Sequence, residues 1–255
     1  MTSKNIISVL LISFSLLIGC HSTRTQVETP APIYPVELKW VRQSVEYQAI
    51  CTEVYRAAWQ SVKKQTANLN EDWVVVLDVD ETALDNSRYQ EILYEKNEHF
   101  PFYWDGWVLE ENCPPVPGVK AFIDSVRSLG EHAHVAYITN RKVKNEAATR
   151  NNLRKAGLWR DGDILLCQNN TTERRDTKSI RRKELQTGAG RCDGLGEKRI
   201  IALVGDQLGD MTAYPPNISP EKYREYFQKL PEWGVKYFML PNPMYGSWMR
   251  RYPQH

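Results

Sequence analysis

The sequence predicts an α/β fold, a parallel sheet flanked by helices, with a smaller, mainly α-helical lobe. Three observations predict it. Short apolar runs recur at Trp73 to Leu77, Ala133 to Ile138, Ile164 to Cys167, Ile200 to Val204 and Tyr237 to Leu240. Continuous runs of that length suit strands buried on both faces. Between them stand stretches of helical character, Gly118 to Leu129, Val143 to Ala156 and Thr177 to Leu185. Strand alternating with helix is the pattern of a parallel sheet. Third, the first and fourth runs lead directly into carboxylates, and in such sheets sites form at the carboxyl ends of the strands.

The 255 residues are 42% hydrophobic, enough for one sizeable core, and carry a formal charge of +2. A balance so close to neutral gives no reason to expect a nucleic-acid polymer as partner. The chain opens with Lys4, then an apolar run from Ile6 to Ile18 broken only by serines. That run is too short to span a bilayer comfortably and fits the apolar segment of a secretory signal. It ends in Leu17-Ile18-Gly19-Cys20, which resembles the bacterial lipobox, where cleavage leaves an acylated Cys20. Residues 1–19 are therefore expected to be a lipoprotein signal peptide. Residues 20–36, polar and proline-bearing, are the expected tether. His21 after the cysteine, by resemblance to bacterial lipoproteins, implies the outer membrane as the anchored surface.

From residue 37 on, one domain is expected. Glu37 to about Ala67 has apolar residues at helical spacing, as one long or two shorter helices. Residues 37–70 and about 83–117 are assigned to the helical lobe. Cys51, Cys113, Cys167 and Cys192 allow three complete pairings in an oxidising compartment, and spacing selects none of them. Gly188 to Lys198 reads as a flexible loop.

The chemistry begins after the first strand, in Asp78-Val79-Asp80-Glu81-Thr82. Alternation along an extended chain points Asp78 and Asp80 to the same side. Two adjacent carboxylates must be neutralised, or one must hold a proton. Asp78 can attack phosphorus as a nucleophile, and Asp80 can give and take the proton. The second strand leads into Thr139-Asn140-Arg141, where a hydroxyl and neighbouring amides can hold phosphate oxygens. Lys178, near a helix start, can neutralise a phosphoryl group. The surrounding Arg174, Arg175, Arg181, Arg182 and Lys183 read as a solvated basic face. The fourth strand leads into Gly205-Asp206-Gln207-Leu208-Gly209-Asp210. Oxygen ligands from Asp78 and Asp206 suit Mg²⁺. His132 and His134 read as structural.

In that order these pieces resemble the haloacid dehalogenase (HAD) superfamily. Val76 to Tyr89 and Gly205 to Asp210 look like the two signatures of the bacterial class C acid phosphatases, which are lipid-anchored and nonspecific. Trp104-Asp105-Gly106-Trp107-Val108, Tyr137 to Arg141 and Pro241 to Trp248 extend the resemblance over roughly residues 38–250. It implies an HAD-like Rossmannoid sheet and Mg²⁺-dependent hydrolysis of phosphomonoesters, 5′-nucleotides among them. It implies Asp78, Asp206 and the Asp80 carbonyl as metal ligands, with Asp210 supporting them. Thr139, Asn140 and Lys178 are implied to bind phosphate, and Trp104 and Tyr245 to line the substrate pocket. Gln207 departs from the residue usual at its position, which bears on the surroundings of Asp206. Two other readings share the fold: a weakly catalytic ligand-binding lipoprotein, and a phosphotransferase in which an alcohol replaces water.

Overall fold

The computed structural model describes residues 33–172, 175–213 and 219–251. The signal segment, Cys20 and Arg174 lie outside the described residues.

Two helices open the described chain, α1 (Val36–Gln43) and α2 (Val45–Thr66). Ser44 separates them. Its backbone is extended, and its side chain accepts the Tyr47 N–H at 3.0 Å, capping α2. Buried Tyr47, Cys51, Tyr55, Ala58 and Val62 recur every three or four residues, so α2 presents one apolar face. The first strand, β1 (Trp73–Leu77), is buried at every position. Then come α3 (Ser87–Lys96), α4 (Trp104–Leu109) and α5 (Val119–Arg127). Next follow β2 (Ala133–Lys142), α6 (Glu146–Lys155), β3 (Ile164–Gln168) and α7 (Lys178–Thr187). The chain continues through β4 (Arg199–Gly205), α8 (Leu208–Met211), α9 (Pro220–Gln228), β5 (Tyr237–Met239) and α10 (Trp248–Arg251).

The five strands form one sheet in the order β3-β2-β1-β4-β5, with every neighbouring pair parallel. Period-two alternation divides its side chains between two cores. Val75, Leu77, Val135, Tyr137 and Leu165 face one core, shared with α2 and α5. Val74, Val76, Ala136, Ile138 and Leu166 face the other, shared with Leu185 of α7 and Met211 of α8. On β4 the register slips once: Val74 pairs Ile200 but Val75 pairs Ala202. Away from the sheet, Arg42 of α1 meets Glu91 of α3 at 2.6 Å, and Tyr89 of α3 packs edge-on to Trp104 of α4, centroids 5.0 Å apart.

All five expected strands are present, and the N-terminal helical stretch is two helices. The second strand does not stop at Ile138 but runs to Lys142, so Thr139, Asn140 and Arg141 belong to the strand itself. The helix expected from Val143 begins as a 3₁₀ turn, Val143–Asn145, before α6. Cys51, Cys113, Cys167 and Cys192 are all buried free thiols. No helix among the described residues is long and apolar enough to cross a membrane.

Candidate active site

The carboxyl ends of β1 and β4 lie side by side because the two strands pair. The ladder continues one residue past β1, where the Asp78 N–H donates to the Val204 carbonyl at 3.0 Å. Asp206 follows directly on β4, and Asp210 lies in α8. Gly205 makes this crowding possible: a Cβ there would lie 2.4 Å from Asp210 Cβ and Oδ2, closer than any side chain tolerates. Asp78, Asp206 and Asp210 are buried, with carboxylate oxygens within 4.8 Å of one another. Lys178 stands at the first position of α7, behind Thr177, whose side chain caps the helix. A lysine there opposes the helix dipole. It is held by two carboxylates instead, Nζ lying 2.5 Å from Asp78 Oδ1 and 2.6 Å from Asp210 Oδ1.

The cluster is short of positive charge. Burial pushes the Asp78 carboxyl up to about 7; Lys178 pulls it back, while the charges of Asp210 and Asp80 add to the rise. Burial, with the charges of Asp210 and Asp78, also holds Asp206 well above the usual carboxylate range. Burial pulls the Lys178 ammonium down, but the two carboxylates outweigh it and keep the lysine charged. One oxygen stands out. Asp206 Oδ2 accepts from Asn242 Nδ2 at 2.8 Å, but the buried Oδ1 has no hydrogen-bond partner among the described residues. An orphaned carboxylate oxygen beside two further carboxylates is what a divalent cation satisfies, and a donor set of oxygens alone suits a hard one. Both Asp210 oxygens are already engaged, Oδ1 by Lys178 and Oδ2 by the Gln207 N–H at 2.9 Å. Asp210 is thus placed to support such a cation's surroundings.

Asp80 is turned the other way, toward β2. Its Oδ1 accepts from Arg141 Nε at 2.9 Å and Asn86 Nδ2 at 3.0 Å, and lies 2.8 Å from Arg141 Nη2 in an ion pair. Asn86 is fully buried. Its carbonyl oxygen accepts from Trp107 Nε1 at 2.9 Å, Cys113 Sγ at 3.2 Å and Arg141 Nη2 at 3.2 Å. Neither Arg141 nor Asn86 was assigned a role from sequence. A signal for Arg141 exists: it lies two residues beyond Thr139 on an extended strand, and so shares its face.

Thr139 is buried, and its Oγ1 accepts the Arg141 N–H at 3.1 Å, which leaves the hydroxyl proton to donate elsewhere. Asn140 is exposed, and its side-chain oxygen accepts from Arg181 Nη2 at 2.9 Å. The expectation of a solvated basic face fails for Arg181 and Arg182, which are buried. Arg181 caps the Leu166 carbonyl at 3.1 Å and also bonds that of Thr139; Arg182 reaches the carbonyls of Gly209 and Asp210 at 3.1 and 2.8 Å. Main-chain carbonyls beside the site need donors, and these two guanidinium groups supply them. Lys178, Arg181, Arg182 and Leu185 fall at i, i+3, i+4 and i+7, the spacing of an inward helix face.

Trp104 is half-buried, its ring 5.5 Å from the Arg141 guanidinium, so it approaches Asp80 at one remove. Tyr245 is half-buried in the segment after β5, which Asn242 ties to Asp206. Gln207 is the second tie. Its Oε1 accepts the Ser247 N–H at 3.0 Å, and it shares a reciprocal cap with Asp210. His132 and His134 sit at the start of β2, the far end from the site, 2.9 and 3.3 Å from Asp72.

Residues 11–248 match the family model of the HAD superfamily, subfamily IIIB (acid phosphatase). The chain belongs to that family. Among solved structures it is similar to the class C acid phosphatase from Bacillus anthracis, with 25% identity over 83% of this chain and 84% of that one and a TM-score of 0.70. The tungstate-bound structure of the Bacillus anthracis enzyme gives 26% identity, the same coverage and a TM-score of 0.70. This acid phosphatase is a phosphomonoester hydrolase on the expected α/β fold, a parallel sheet flanked by helices.

Proposed function

We propose that this acid phosphatase is a Mg²⁺-dependent enzyme of the bacterial envelope, working through an aspartyl-phosphate on Asp78, with 5′-nucleotides among its substrates. The observation behind the metal-dependent mechanism is the pairing of Asp78, held at 2.5 Å by Lys178, with Asp206, whose buried Oδ1 has no hydrogen-bond partner among the described residues. Asp78 and Asp206 would hold the cation with their carboxylates, and Asp80 with its main-chain carbonyl. Bound there, Mg²⁺ supplies positive charge against the phosphoryl oxygens as negative charge shifts onto them.

The protein's own groups do the rest. Lys178 and the Thr139 hydroxyl bind phosphoryl oxygens and orient phosphorus toward Asp78. An Asp78 oxygen forms a bond to phosphorus as the ester P–O bond breaks, and protonated Asp80 gives its proton to the departing oxygen. Asp80, now a carboxylate, takes a proton from water as that water attacks the aspartyl-phosphate. Phosphate leaves, Asp78 is free again, and Asp80 is again protonated. Trp104 and Tyr245 support nucleotide recognition, because aromatic planes stack on bases. Cys20 in its lipobox-like setting supports the anchor at a membrane surface.

Aryl phosphate turnover tests the mechanism. Asp78→Asn is expected to lower kcat by about four orders of magnitude with the fold intact. EDTA should abolish wild-type activity and Mg²⁺ restore it; indifference to chelation would exclude the metal. Detergent phase partitioning tests the anchor. Wild-type protein should enter the detergent phase and Cys20→Ser protein the aqueous one, and equal partitioning would remove the lipid.

A further inference from the structure

The hydrogen bonds around Asp80 are lopsided. Three nitrogens converge on Oδ1: Arg141 Nε at 2.9 Å and Asn86 Nδ2 at 3.0 Å donate hydrogen bonds, and Arg141 Nη2 lies 2.8 Å away in an ion pair. A carboxylate oxygen has about two lone-pair sites, so Oδ1 is saturated. A guanidinium meeting a carboxylate for stability alone commonly takes both oxygens, one per nitrogen. Here both nitrogens take the same oxygen. The Arg141 side chain has no exposure at all, while that of Asp80 keeps 19%. Every hydrogen bond and ion pair to the Asp80 carboxylate among the described residues falls on Oδ1, none on Oδ2.

The donors are themselves fixed. The Arg141 guanidinium lies 5.5 Å from the Trp104 ring centroid and donates to Thr149 Oγ1 at 3.4 Å. Asn86 cannot turn its amide over, because its oxygen faces N–H and S–H donors from Trp107, Cys113 and Arg141. Its amide nitrogen faces acceptors on Asp80, Glu81 and Leu84.

We propose that Arg141 and Asn86 are positioning residues for the acid, which lock Asp80 so that Oδ2 alone carries the catalytic proton toward the departing oxygen. Resting on the acid/base role of Asp80 proposed above, this names the atom and what holds it. The proton on Oδ2 passes to the ester oxygen as its bond to phosphorus breaks, and Oδ2 takes a proton back from the attacking water. Oδ1 keeps its two hydrogen bonds and its ion pair throughout.

The test is the dependence of kcat/KM on the leaving group, with Mg²⁺ present. Dinitrophenyl, phenyl and alkyl phosphates need progressively more help from an acid. For Arg141→Lys and Arg141→Gln, the dinitrophenyl ester should lose less than about threefold and the alkyl ester about 100-fold or more. Turnover of the dinitrophenyl ester also reports that the variant is folded. The same loss on all three esters would overturn the proposal. Should neither Arg141 variant fold, Asn86→Ala removes one donor and should steepen the series in the same direction, and a flat loss there is equally fatal. Asp80→Asn, run in parallel, separates the two claims. If its own series is flat, the acid assignment fails; if it is steep while the Arg141 and Asn86 series are flat, only the positioning role fails.

Discussion

The segment after β5 is tied to the carboxylate side of the site twice, by its own Asn242 and by Gln207. Asn242 donates to Asp206 and accepts the Met244 and Tyr245 N–H groups, at 3.1 and 3.3 Å, while Gln207 holds Ser247. Tyr245 is therefore set by the same residues that set Asp206 and Asp210. If it stacks on a nucleobase, Tyr245→Ala should lower kcat/KM for nucleoside monophosphates about tenfold and leave phenyl phosphate nearly unchanged. Equal losses in a steady-state comparison would remove the stacking role. At this scale the sequence was informative where one residue carries its chemistry by position along the chain. Asp78, Asp80 and Asp206 could be read because a buried apolar run stops at a carboxylate. Asn86 could not, because its partners Trp107, Cys113 and Arg141 come from three separate segments. Arg181 and Arg182 misled because charge clustered in sequence looks solvated until the unpaired carbonyls beside it are seen.

Among the elements, α5 and α7 show opposite ways of docking a helix on the sheet. α5 buries Val119, Phe122, Ile123 and Val126 on one face, so its place rests on apolar packing. Ile123 is completely buried, and Ile123→Ala should cost about 2–5 kcal/mol in chemical denaturation without touching a catalytic group. A loss under about 0.5 kcal/mol would show that α5 adds little to stability. α7 instead faces inward with Lys178, Arg181, Arg182 and Leu185, three cations and one apolar residue. It is fastened by charge-assisted hydrogen bonds to main-chain carbonyls of β2, β3 and α8 and by the site's own carboxylates. Strand existence was legible for every strand, since each is a run of apolar residues. The far end of β2 was not, because past Ile138 it alternates between buried Thr139 and Arg141 and exposed Asn140 and Lys142. The short α8 and α10, four residues each, hold too few residues for a periodic signal.

For the whole molecule, the unbalanced carboxylates tie stability to protons and cations. Asp78, at about 7, and Asp206 are both held above their usual range in the fold. In the unfolded chain they ionise near the ordinary carboxylate value of 3.8. Between those limits the folded protein binds more protons than the unfolded one, so its stability falls as pH rises through that window. In EDTA the melting temperature should therefore be higher at about pH 5 than at about pH 7.5, and saturating Mg²⁺ should flatten the difference by keeping both carboxylates ionised. Identical slopes with and without the cation would show that it does not sit on these groups. The sheet order has a further consequence, in time rather than in space. β1 lies at the centre, yet its neighbours β2 and β4 come from distant parts of the sequence. Asp78 is synthesised early, while Lys178, Asp206 and Asn242 follow only with the later segments. A chain interrupted before β4 has its nucleophile but neither the cation's second carboxylate nor the segment that carries Tyr245. Pairing of such distant strands forms late and slowly. Return of hydrolysis during refolding thus clocks completion of the sheet, not the earlier collapse of its apolar runs.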